Sequence, residues 1–227
     1  MIRKRAVRLR VSTVILLLVI GVLILGGRNY YLSLKQGKQP SALPVRLSQE
    51  DAAHVQGRTI ALISGHLGFD TGATCDDGLT ERSVNRRVTG ALANILKSAG
   101  ARVSIMEEYD PRLVGLKADV LLSIHADSCL PLSGFKIARW QQSANPERDD
   151  RLVTCLRYAY WLHTGLDFDG THITDDMLQY HAFREIDPQT PAAIIETGYI
   201  GGDRDLLVKK PQVPAMGIAQ GLVCFFK

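Results

Sequence analysis

The stretch Asp119–Asp127, "DVLLSIHAD", is apolar from Val120 to Ile124 except for Ser123, and then runs into a histidine and an aspartate. It does not alternate polar with apolar, as a strand with one wet face would. A strand without alternation is covered on both faces, which places it centrally in a mostly parallel sheet. In such sheets functional groups gather at the carboxyl ends of strands. His125 stands at that end.

The neighbouring segments support a sheet of this kind. "RTIALISGH" (58–66) reads as a strand running into a glycine-bearing turn, and "LTERSVNRRVTGALANILKSAG" (79–100) as a helix. In that helix Thr80 is the N-cap, Val84, Val88, Leu92 and Leu96 form a stripe, and Gly100 is the stop. "ARVSIM" (101–106) is a second strand, "DPRLVGLKA" (110–118) a loop with a turn of helix, and "GFKIARW" (134–140) a fourth strand. Residues 147–165 read as a helix with Leu152, Cys155, Leu156, Ala159 and Leu162 inward. "PAAIIETG" (191–198) is another buried strand, and residues 205–226 are helical segments broken by Pro211 and Pro214. Strands and helices alternate, so the expected fold class is α/β: a three-layer sandwich with a mostly parallel twisted sheet flanked by helices.

The charge is segregated. Residues 1–57 carry 9 Lys/Arg against 2 Asp/Glu, whereas residues 58–227 carry 18 against 21, so the body is mildly acidic and no nucleic-acid partner is expected. The basic stretch 1–10, "MIRKRAVRLR", precedes seventeen uncharged residues, Val11–Gly27. That order predicts a cytoplasmic N-terminus and a transmembrane signal-anchor helix over 11–27, with Tyr30 and Tyr31 in the headgroup zone. A cleaved signal peptide has the same order. The absence of a small-x-small pattern after the apolar run, and of a lipid-attachment cysteine there, favours the anchor. Residues 28–57 read as a polar linker with a short helix near Ser48–His54, and 58–227 as the catalytic domain, placed outside the cytoplasmic membrane.

Four cysteines, Cys75, Cys129, Cys155 and Cys224, permit disulfides in three connectivities, and none lies in a CxxC pair. Cys155 and Cys224 sit in apolar helical patterns and read as buried thiols. Cys75 and Cys129 flank the candidate site, and a bridge between them is among the pairings open.

The candidate site is His66, Glu81, His125 and Glu196. Two imidazoles and a carboxylate make a catalytic zinc set with a position left for water, and a further carboxylate off the metal can carry the proton. Each residue also has a plainer reading: His66 as a turn residue, Glu81 as a carboxylate favoured at a helix N-terminus, His125 as a core histidine, and Glu196 as a partner of Arg204. Asp70 and Asp127 are candidates to orient ligand imidazoles. His172 and His181 either contact substrate or a developing oxyanion, or are exposed loop histidines. Trp140, Tyr180 and Tyr199 are candidates to line a glycan groove, with core packing the competing role for Trp140.

Three segments carry a family resemblance: "ISGHLGFDTGATCDDGLTERSVN" (63–85), with Glu81 fifteen residues after His66; "ADVLLSIHADS" (118–128); and "PAAIIETGYI" (191–200). In this order they resemble the zinc-dependent N-acetylmuramoyl-L-alanine amidases of the amidase 3 type, over nearly all of 58–227. The resemblance implies His66, Glu81 and His125 as Zn2+ ligands, Glu196 as the catalytic residue, and peptidoglycan as substrate. The chain departs from the family at Ser64, Leu67, Met106-Glu107 and Gly201-Gly202, which touches expected substrate contacts rather than ligands. Alternatives are a zinc peptidase acting on another amide, or a wall-binding module that kept the fold without catalysis.

Overall fold

The computed structural model describes residues 46–227. The expected cytoplasmic stretch 1–10, the membrane segment 11–27 and most of the linker 28–57 therefore lie outside the described residues. Among the described residues no helix is long and apolar enough to cross a membrane.

The chain runs α1 (Gln49–Val55), β1 (Thr59–Ser64), α2 (Glu81–Ser98), β2 (Arg102–Met106), a 3-10 turn at Pro111–Leu113, β3 (Val120–Asp127) and β4 (Lys136–Ala138). It continues with α3 (Pro146–Thr164), the one-turn helices α4 (Asp175–Leu178) and α5 (Ala182–Glu185), β5 (Ala192–Tyr199), a π-type turn at Asp205–Lys209, and α6 (Gln212–Phe226). The five strands lie in the order β2-β1-β3-β5-β4. All pairs are parallel except β4 with β5. The apolar strand β3 is the middle one.

Side chains alternate across the sheet, and both faces are dry. Ile60, Leu62, Leu122, Ile124 and Ile195 enter a core shared with α2, α3 and α6. Ala61, Ile63, Leu121 and Ile194 face Met177, Tyr180 and Phe183 from the α4–α5 region. The polar-looking stretch 170–183, which reads as a loop leading to a short strand, instead supplies a one-turn helix and the start of a second that cover the second face. Its apolar residues, Met177 and Phe183, supply the burial.

Four further expectations need correction. Val55 of α1 is fully buried in the main core. The folded unit therefore reaches back past the Arg58 boundary, because one buried apolar residue in a polar stretch gives no period to read. Leu162 is 60% exposed, and Tyr160 takes the inward position instead, its hydroxyl donating to the Thr197 carbonyl oxygen at 2.5 Å. Pro214 does not break α6, because it falls in the first turn, where its missing N–H has no intrahelical partner to lose. Finally, Cys155 and Cys224 are bonded to each other, stapling α3 to α6, and Cys75 bonds Cys129. The bridge between Cys155 and Cys224 closes a sequence separation of 69 residues. A loop of that length is worth about 4 kcal/mol in unfolded-chain entropy.

Candidate active site

The parallel sheet puts the carboxyl ends of β1, β3 and β5 on one edge, and the sequence candidates meet there. His66 follows β1 in a left-handed turn; its φ of 65° is the one positive value at a non-glycine residue among the described residues. Glu81 opens α2 behind its cap Thr80, whose hydroxyl accepts from the Ser83 N–H, and the helix N-terminus favours its negative charge. His125 ends β3. Glu196, on β5, is in register with it, one interstrand spacing away.

Glu81 stands between the two imidazoles. Its Oε2 lies 3.1 Å from His66 Nε2 and its Oε1 3.0 Å from His125 Nδ1. Asn85 Nδ2, one turn along α2, donates to Glu81 Oε1 at 3.2 Å, and the Ala73 N–H donates to Oε2 at 3.2 Å. The far side of the His66 ring is held by Asp70, whose Oδ1 lies 2.5 Å from Nδ1. One ligand atom from each of His66, Glu81 and His125 lies within 4.8 Å of the others.

This cradle fits a divalent ion. Two nitrogens and a carboxylate are the donors that zinc takes when thiolate is absent. The backbone leaves room at two glycines. A Cβ on Gly72, whose φ is 59°, would lie 2.5 Å from Glu81 Oε2 and 2.8 Å from His66 Nε2, and one on Gly65 would lie 2.5 Å from the His125 ring. Among the buried polar atoms of the cluster, His125 Nε2, Glu196 Oε2 and Asn85 Oδ1 make no hydrogen bond.

Charge in the cluster follows from this crowding. Burial pushes the Glu81 carboxyl up, but the bonds to His125 and His66 outweigh it and hold the group far below the usual carboxylate range. Burial works against the His125 imidazolium, yet Glu108 and Glu81 raise it to about 10. Glu196 behaves oppositely. Its burial dominates, and with the repulsion of Glu81 and Asp127 it lifts the carboxyl to about 7 against the pull of His125.

Residues 60–222 match the Amidase_3 family, N-acetylmuramoyl-L-alanine amidase. The chain belongs to this family. Among solved structures it is similar to the N-acetylmuramyl-L-alanine amidase Ami1 from Mycobacterium smegmatis: TM-score 0.59, 19% identity, covering 76% of this chain and 98% of that one. The Mycobacterium abscessus Ami1 in its apo form gives 0.60 at 17% identity over 76% and 100%. The amidase AmiC2 of Nostoc punctiforme gives 0.56 at 21% identity over 74% and 96%. Among curated proteins, the uncharacterized YqiI of Bacillus subtilis (strain 168) is 23% identical over 173 residues, 72% of this chain and 81% of that protein.

In this amidase the remaining candidates divide. Asp70 does face the His66 imidazole, but Asp127 faces neither candidate histidine: it pairs with the buried Lys136 Nζ. Arg204 pairs with Asp77 rather than with Glu196. His172 is exposed and held by Asp169 at 2.8 Å. His181 is mostly buried beside the cluster, its Nε2 3.2 Å from Glu108 Oε1. Tyr180 and Tyr199 are buried, and Trp140 packs against the second core. The aromatics exposed by the site are instead Phe69 and Tyr109, in edge contact at 4.7 Å.

Glu108 and Lys136 were missed in the sequence. Glu108 lies just past the carboxyl end of β2, so the rule that singled out His66, His125 and Glu196 reaches it as well. Lys136 stands in register with Glu196 on β4, and nothing in the sequence of so short a strand marks it as buried.

Proposed function

We propose that this chain is a zinc amidase, held at the membrane by its N-terminal segment, that cleaves the bond between the lactyl group of N-acetylmuramic acid and L-alanine outside the cytoplasmic membrane. The observation that carries the site assignment is the convergence of His66, Glu81 and His125 within 4.8 Å, with Glu196 in register beside them. His66, Glu81 and His125 would hold the ion through His66 Nε2, the Glu81 carboxylate and His125 Nδ1. The chemistry a bound zinc supplies is polarisation of the scissile carbonyl and acidification of water.

The chain's own residues do the rest. Asp70 fixes the tautomer of His66 by accepting a hydrogen bond from its Nδ1–H. Glu196, with its carboxyl near 7, is poised to take a proton from the attacking water and return it to the amide nitrogen as the C–N bond breaks. The products are the lactyl carboxylate and a free L-alanine amino group. Two disulfides support an oxidising, extracytoplasmic setting, and the basic-then-apolar order of 1–27 supports the anchor.

The test is digestion of purified sacculi, with mass spectrometry of the release. Free stem peptides beside intact glycan are expected, and chelation should stop their appearance. Release of shortened peptides would point to another amide. Protease added outside intact spheroplasts should remove the 46–227 body; full protection would overturn the location.

Zinc binding should also release protons. With His125 near 10 in the metal-free protein, the imidazole is protonated below that pH and ligation must displace the proton. At pH 7.5 at least one proton should leave per ion, and apparent affinity should climb as pH rises toward 10. Calorimetry in two buffers of different ionisation enthalpy reads the count; a slope of zero would contradict a protonated His125 in the metal-free protein.

A further inference from the structure

Glu108 is 5% exposed, yet its carboxylate reaches both histidines, bonding the backbone N–H of His66 and facing the His125 ring at ion-pair distance without a hydrogen bond. Oε2 accepts the His66 backbone N–H at 2.7 Å and lies 3.5 Å from His125 Nε2. Oε1 accepts the Tyr180 hydroxyl at 2.6 Å and faces His181 Nε2 at 3.2 Å. Its backbone N–H donates to the Leu67 carbonyl oxygen at 2.9 Å, tying the end of β2 to the His66 turn.

The groups around it are themselves braced. The Tyr180 hydroxyl accepts from Ser123 Oγ on β3 at 2.9 Å. His181 Nδ1 meets Glu185 Oε1 at 2.9 Å, and Tyr109 stacks on the His181 ring at 4.3 Å. A carboxylate held this way cannot swing to suit its neighbours, so its neighbours take their orientation from it.

We propose that Glu108 is a positioning residue for both zinc histidines. It holds the His66 turn in its left-handed conformation. It also turns the His125 ring so that Nε2 faces Glu108, leaving Nδ1 on the side of Glu81. The inference rests on the zinc reading of the site. Glu108 is not a ligand and does not touch substrate; it acts through His66 and His125.

The test uses the full-length protein and its Glu108→Gln and Glu108→Ala variants, with zinc affinity measured by chelator competition. Outer partners of metal ligands change affinity by about 10- to 100-fold, and a loss in that range is expected for Glu108→Ala. Glu108→Gln, which keeps an acceptor for the His66 N–H but no charge toward His125, should fall between it and wild type. The d–d bands of the Co2+-loaded variants should shift, which a role confined to general folding would not produce. Wild-type affinity and an unshifted cobalt spectrum in Glu108→Gln would overturn the inference and leave the zinc reading intact. Failure of the wild type to bind zinc would overturn both. Should Glu108→Ala not fold, Glu108→Gln decides.

Discussion

Glu196→Gln should keep its zinc and lose turnover by about 100- to 10,000-fold, the range that a positioned proton carrier contributes. The substitution preserves shape and removes only the ability to hold and return a proton. The sheet explains why the group suits the work. β5 delivers Glu196 in register with His125, and its Oε2 is buried without a hydrogen-bond partner. Burial lifts the carboxyl to about 7, where taking up and giving back a proton are nearly balanced at neutral pH. The acid limb of kcat/KM should follow from this: activity falls as pH drops and the carboxylate is protonated before it can act. The measurement is stem-peptide release from sacculi beside zinc content. Release at the native rate would exclude the role, and loss of zinc together with activity would make Glu196 a ligand instead.

His125→Ala should fail to hold stoichiometric zinc, and turnover should fall to background. The same variant should be less stable without metal. His125 lies between two buried carboxylates, 3.0 Å from Glu81 and 3.5 Å from Glu108. Its removal leaves those charges facing one another with no cation between them. Breaking a buried pair by deleting one partner costs about 3–5 kcal/mol, so metal-free His125→Ala should unfold at a lower temperature than metal-free wild type. The pair of variants separates the roles: one loses chemistry and keeps the ion, the other loses the ion. Full zinc content in His125→Ala would remove His125 from the ligand set.

The convergence of the candidate residues was legible because a parallel sheet converts sequence into position. Once Val120–Ile124 is read as a central strand, His125 has to lie at the carboxyl edge, and His66 and Glu196 follow by the same rule. Glu81 was legible through the helix start marked by Thr80. The groove reading of Tyr180 failed for a different reason. Tyr180 looked like a loop residue, but α4 and α5 bury it against the second core, where its hydroxyl serves Glu108 rather than a glycan. Leu162 looked inward because the helical stripe continues to it, while Tyr160, out of the expected phase, reaches across to Thr197.

By itself the sequence determined the order of strands and helices, and hence which edge of the sheet carries the chemistry, because chain direction alone puts all parallel carboxyl ends on one side. Only the tertiary structure decided the cysteine pairing, which imidazole nitrogen faces which carboxylate, and the burial of Glu108. The burial of Glu108 is set by contacts between segments 42 to 73 residues apart, and the bridges join cysteines 54 and 69 residues apart. Such contacts form by packing, which leaves no periodic trace along the chain.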